Sequence, residues 1–199
     1  MTAQIKPAPR IRNAAATRQA MLEAARSKFA CESYENVGLR EIAAEVGVDP
    51  ALICRYFGSK EELFREVLDN DSPLPLFENV DAEDIPDQLV SLILDVERDG
   101  AEAAVKRDRL LIIMHSFSSP SASAIVGEAI DQVILKPIAA RIGGREASLR
   151  AGLALAVLMG SGILFNVMKD GGATGSDDRE VRARLLRLFR TALDLDAAA

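Results

Sequence analysis

A chain of 199 residues that is 49% hydrophobic and 27% charged can bury a core in one or two domains and is too apolar to stay disordered. Its net charge of −6 by itself argues against a nucleic-acid partner, and its two cysteines lack the spacing of a metal site or a disulfide framework. Two reduced thiols in a cytosolic protein are the simple expectation, and no apolar segment follows the basic N-terminal residues as a signal peptide would require. The charge is unevenly spread. Residues 1–60 carry nine Lys/Arg against six Asp/Glu, a balance of +3, and the rest of the chain has a balance of −9. A basic head on an acidic body suits a protein that offers one end to an anion such as DNA.

In chain order, residues 1–13 form a polar, flexible basic arm with Lys6, Arg10 and Arg12. Such an arm can reach phosphates or the minor groove, or simply be a solvated tail. Ala14–Cys31 reads as a first helix, with Ala20, Met21, Ala24, Ala25, the Lys28 stem and Phe29 along one stripe. The next stretch, LREIAAEVGVDPALICRYFGSK (Leu39–Lys60), organises the head. Leu39, Ile42, Ala43 and Val46 share a helical face, and Gly47 ends that helix by accepting a left-handed backbone. Val48 plugs the angle between the two helices. Asp49 caps a following helix that opens with Pro50, where no N–H is needed. Ile53 and Phe57 point inward four residues apart, which leaves Ala51, Leu52, Cys54, Arg55 and Tyr56 on or near the outer faces. Helix, glycine turn and capped helix make a helix-turn-helix, whose second helix enters the DNA major groove; an ordinary helical hairpin shares the same local pattern. Ser59 and Glu62 then form a capping box that opens a fourth helix ending near Asp69.

Arg18–Leu68 as a whole resembles the DNA-binding domain of the tetracycline-repressor (TetR/AcrR) family of bacterial transcription regulators. The matching pieces, in order, are AAxxxFA at Ala24–Ala30, Tyr34, REIAAEVGV at Arg40–Val48, DPALICRYF at Asp49–Phe57 and GSKEELF at Gly58–Phe64. The resemblance implies that Tyr34 packs beneath the helix-turn-helix, that Arg40 faces DNA, and that Lys60 binds backbone phosphate. It also exposes two departures. Gly38 stands where the family usually has a Ser or Thr that caps the helix and touches phosphate, so the cap and the contact fall to the backbone. Cys54 stands where the family most often has Tyr or His. The DNA-facing set is therefore Gly38, Leu39, Arg40, Pro50, Ala51, Leu52, Cys54, Arg55, Tyr56 and Lys60. Arg55 is the one long charged donor on the second helix and the best candidate to read a base. Ala51 and Leu52 can meet thymine methyls, and the Tyr56 hydroxyl can donate to phosphate.

Residues 70–84, with Pro73, Pro75 and five acids, read as a connector between a head (14–69) and a body (85–199). The body reads as helices only: Ile85–Arg98, Ala101–Phe117, Ala124–Ile142 with a kink at Pro137, Glu146–Lys169 and Asp177–Leu195. A loop at Ser118–Ser123, a Gly143–Gly144 stop and a flexible Gly171–Ser176 loop separate them, and Asp177 with Glu180 forms a second capping box. Ala151–Met168 is 18 residues without a charge. That length raises a transmembrane span, but Gly152, Gly160, Ser161, Gly162 and Asn166 interrupt it. The preferred reading is a helix covered by its own core and by a second subunit. Together with Val181, Leu185, Leu188, Phe189 and Leu193 of the last helix it would build a four-helix dimer interface, as the last two helices of the resembling family do.

No enzyme motif is present: His115 is the only histidine, and no nucleophile elbow, phosphate loop or Cys/His ligand pair occurs. Neither a cofactor nor a metal is expected. His115 lies among apolar residues, where it is either a core histidine or a polar handle in a ligand pocket with Phe117, Phe165 and Asn166. The expectation is thus an all-α, cytoplasmic homodimer with a helix-turn-helix head and a helical ligand-binding body. It binds a palindromic DNA operator, most simply as a repressor released by a small hydrophobic molecule. The alternative is a helical small-molecule-binding or catalytic protein whose helix-turn-helix is only packing.

Overall fold

The computed structural model describes residues 14–70, 77, 79–94, 101–168 and 177–195, and among these the chain is helical with no strand. The head comprises α1 (Ala14–Cys31), α2 (Leu39–Val46), α3 (Pro50–Phe57) and α4 (Lys60–Asn70). The body comprises α5 (Ile85–Leu94), α6 (Ala101–Ser116), α7 (Pro120–Ile130), α8 (Lys136–Ile142), α9 (Ala147–Gly162) and α10 (Asp178–Leu193), with a short 3-10 turn at Ala82–Asp84 leading into α5. The basic arm, the Gly171–Ser176 loop, and Val96 and Arg98 of the expected fifth helix lie outside the described residues.

The local signals act as physical chemistry requires. Gly47 adopts φ 70°, ψ 39°, and its N–H turns back onto the last carbonyls of α2. Asp49 Oδ1 accepts from Ala51 N at 2.8 Å with Pro50 in the first helical turn. Ser59 Oγ accepts from Glu62 N at 3.1 Å at the start of α4.

In the body three expectations are corrected. Ser118–Ser123 is not a loop: Ser119 caps α7 through a bond from Ala122 N, and Pro120 occupies the first turn, so the helix begins four residues before Ala124. The helix expected through Ile142 is interrupted by a wide π-type turn at Asp131–Leu135, which ends two residues before Pro137. Proline has no N–H to give to the carbonyl four residues back, and the ladder lengthens to five-residue bonds ahead of it. A second wide turn, Ile163–Val167, closes α9, with Met168 N bonded to Ile163 O at 3.0 Å. Third, Asp177 caps α10 through Arg179 N at 3.1 Å, while the Glu180 carboxylate accepts from Arg184 instead of completing a capping box.

Two buried clusters hold the chain. One fills the head with Met21, Phe29, Tyr34, Ile42, Ile53, Phe57 and Phe64, and extends into Ile112 and Ile113 of α6 and Ala122, Ile125 and Val126 of α7. Phe29, Tyr34 and Phe64 form its centre, with ring centroids 4.9–5.8 Å apart. The other joins α5, α8, α9 and α10 through Ile85, Leu89, Ile93, Ile138, Ala151, Leu185 and Phe189, and takes in Phe77 from the segment before α5. Because the head core uses the ends of α6 and α7, the head is docked on the body by apolar burial and not by the connector alone.

Candidate nucleic-acid interface

The turn between α2 and α3 aims α3 outward. Ile53 and Phe57 anchor its inner face, and Ala51, Cys54 and Arg55 are exposed on the other. Leu52 and Tyr56 are half-buried against the head core, so both lean further inward than the helical spacing suggests. Pro50, Gly38 and Leu39 are also half-buried, whereas Arg40 is exposed at the first turn of α2. Neither Arg40 nor Arg55 has an ion-pair or hydrogen-bond partner among the described residues. Two unpaired guanidinium groups and a small, exposed helix face are a surface on which phosphate and base edges can be met without first breaking an internal bond.

Gly38 takes the helix-capping conformation (φ −99°, ψ 138°) without a side-chain cap. Its N–H donates to Glu41 Oε2 at 3.3 Å, so the backbone donor expected to meet phosphate is occupied by a carboxylate of its own helix. Lys60 is half-buried, with Nζ 4.3 Å from the centre of the Tyr34 ring. Burial pushes the Lys60 ammonium below its ordinary pKa, while the charges of Glu35 and Glu61 hold it up. Burial also raises the Tyr34 hydroxyl to about 12, helped by the nearby Glu61 and Glu35 carboxylates. On the flank, Arg18 lies over the Phe57 ring, 5.1 Å from its centre, and pairs with Glu66, tying α1 to both α3 and α4.

Polar links across the head–body junction carried no sequence signal. Arg26 Nε is 3.5 Å from Asp108 Oδ2 between α1 and α6, and Arg65 Nη1 is 2.6 Å from Glu128 Oε2 between α4 and α7. Ser119 Oγ donates to Glu35 Oε1 at 2.6 Å. Beside the second link runs a groove of about 180 Å³ between α4 and α7, floored by Leu68, Ile125, Ala129 and Val133 with Arg65, Asp69 and Glu128 at its edge.

The residues suggested as a ligand pocket are not gathered there. Phe117 is 70% exposed, which removes it from any enclosed cavity: it follows the last turn of α6 and points to solvent. His115 is half-buried, and its buried Nδ1 has no hydrogen-bond partner among the described residues. Phe165 packs on the body core, and Asn166 Nδ2 donates to Ile93 O at 3.4 Å.

A glycine-turned helix pair with an anchored inner face, an open outer face and flanking cations, carried on a helical body, defines a helix-turn-helix regulatory protein. The family model for the N-terminal domain of bacterial regulatory proteins of the tetR family matches residues 21–67, and that for a tetracyclin repressor-like C-terminal domain matches residues 83–193. The chain belongs to the tetR family of bacterial regulatory proteins. The apolar helix Ala147–Val167, long enough to cross a membrane by length and composition, lies within the second match. The fold is similar to that of NalD, the secondary repressor of the MexAB-OprM multidrug efflux pump in Pseudomonas aeruginosa, at 18% identity over 89% of this chain and 97% of that one, with a TM-score of 0.68. Salmonella enterica GusR is similar at 18% identity over 92% and 98%, also with a TM-score of 0.68. A transcriptional regulator from Saccharomonospora viridis, solved in complex with choline, is similar at 25% identity over 86% and 94%, with a TM-score of 0.58. No curated protein matches the chain.

Proposed function

We propose that the protein is a cytoplasmic homodimeric repressor that binds a palindromic operator and is released by a small molecule held in its body. The observation that carries the DNA-binding reading is the unpaired, exposed Arg55 on an α3 face that otherwise offers Ala51 and Cys54. Arg55 reads a base, Arg40 and Lys60 meet phosphates, and Leu52 and Tyr56 contribute from the half-buried flank. Two such heads about 34–36 Å apart would read successive turns of the major groove.

Dimerisation is supported by leucines that α9 and α10 leave uncovered. Leu149, Leu153 and Leu188 are 58%, 50% and 53% exposed on two helices that pack against each other. Leu185, Phe189 and Leu193, part of the interface read from sequence, are buried within the subunit instead, so the contact surface is this narrower stripe. The choline-bound relative supports a small organic effector. Such an effector acts only through a difference in affinity between the DNA-bound and released states.

Selecting bound sequences from a random DNA pool with the purified protein tests the reading directly. A palindrome is expected. Arg55→Ala should then weaken binding to that sequence by about 1–3 kcal/mol, the scale of a bidentate arginine–guanine contact, and leave random DNA nearly untouched. Equal losses on both duplexes would remove Arg55 from base reading.

A further inference from the structure

Of the polar links between head and body, one leads to the phosphate-facing lysine. Ser119 is fully buried, and its hydroxyl is held by the body because it caps α7, accepting from Ala122 N at 3.3 Å. The same hydroxyl donates to Glu35 Oε1 at 2.6 Å, across 84 residues of chain. Glu35 sits in the turn after α1, next to Tyr34, and the Tyr34 ring carries Lys60 at 4.3 Å. Glu35 is thus bonded to a hydroxyl fixed by the body, and its charge acts on the Lys60 ammonium at the edge of the DNA surface.

We propose that Ser119 is a positioning residue for DNA binding: by holding the Glu35 carboxylate from the body side, it keeps that carboxylate from pairing with Lys60 and leaves the ammonium open to phosphate. The inference rests on the reading of Lys60 as a phosphate contact. Its physical basis is that a 2.6 Å charge-assisted bond to a hydroxyl fixed by the body holds the Glu35 side chain in one orientation, toward the α6–α7 corner. If the corner shifts relative to the head, the bond breaks, and Glu35 turns to the cation whose pKa it already raises. A movement of the body then becomes a change of charge at the DNA surface.

The test measures the affinity of the full-length protein for a short duplex of mixed sequence, titrated with salt, for Ser119→Ala, Glu35→Ala, their combination and Lys60→Ala. Ser119→Ala should weaken binding by about fivefold, the scale of one partly exposed ion pair. Glu35→Ala should bind at or above the wild-type level, because the competing carboxylate is gone. The combination should match Glu35→Ala. Ser119→Thr, which keeps the hydroxyl, should behave as wild type. If Ser119→Ala weakens binding equally with and without Glu35, Ser119 is only a helix cap and the proposal is overturned. It is equally overturned if Ser119→Ala has no effect, or if Glu35→Ala alone weakens binding. Should Ser119→Ala not fold, Ser119→Asp keeps a capping oxygen, repels Glu35 and is read against the same outcomes. Lys60→Ala checks the underlying reading separately. It should lower the slope of log affinity against log salt by about 0.9 for each phosphate that is no longer neutralised. An unchanged slope removes the phosphate role of Lys60 and the inference with it. A lowered slope, with Ser119→Ala still weak in the Glu35→Ala background, overturns the inference alone.

Discussion

Gly38→Ser places a hydroxyl at the start of α2, and its effect can be worked from the local geometry. Gly38 has φ −99°, ψ 138°, a conformation open to any L residue, and a Cβ there would come no closer than 3.7 Å to the Glu41 carboxylate, an ordinary van der Waals distance. The substitution therefore introduces no strain, while it restricts the unfolded chain, an effect of about 0.4–1 kcal/mol at a compatible site. Replacing a glycine cap by serine adds a few tenths of a kcal/mol. The sum, about 0.5–1.5 kcal/mol, corresponds to a rise in Tm of about 1–6 °C for a chain of this length. Far-UV circular dichroism during thermal unfolding measures it. On DNA the added hydroxyl can donate to a phosphate that the Gly38 N–H, already engaged by Glu41, does not meet. Affinity for random duplex should rise a few-fold with an unchanged salt slope, because a neutral donor releases no counterion. A fall in Tm would show that the Glu41 carboxylate cannot serve the backbone N–H beside a side chain. A higher Tm with unaltered affinity would place the start of α2 away from the phosphates.

Phe64→Ala should cost about 3–5 kcal/mol, the range for emptying a buried aromatic site, because Phe64 is buried edge-on to both Phe29 and Tyr34; urea unfolding that shows a loss below about 1 kcal/mol would mean that the cluster repacks. Alkaline titration of phenolate absorbance should show a step near 12 that Tyr34→Phe removes. Since the folded-state value is raised above the ordinary 10.0, Tyr34 contributes stability that is fully present below pH 10 and lost as the pH rises through about 12. Leu153→Glu combined with Leu188→Glu should convert a dimer into a folded monomer in sedimentation equilibrium, since both leucines are half exposed on one subunit. A wild-type protein already at one subunit's mass would refute the interface.

Chain order alone determined the helix-turn-helix. Its ends are set by residues within four positions of one another: Gly47 must be left-handed, Asp49 needs only the N–H two residues on, and Pro50 needs no donor. The inner faces of α2 and α3 followed from helical spacing, and Ile42, Ala43, Ile53 and Phe57 are buried as that spacing requires. Periodicity also showed that α9 and α10 have apolar faces. It did not show that Leu185 and Phe189 turn into the subunit while Leu188 stays in solvent, because an apolar stripe does not state how much of itself the same chain will cover. The ladder shift before Pro137 was half legible: the missing N–H marked the place, but not that the interruption would be a wide turn at Asp131–Leu135. The burial of Phe77, the ion pairs of Arg26 with Asp108 and Arg65 with Glu128, and the bond from Ser119 to Glu35 belong to the tertiary structure alone. The three polar links join residues far apart in sequence, where neither backbone propensity nor spacing carries information, and only the docking of the head on α6 and α7 brings them together; Phe77 is buried by the packing of the body helices.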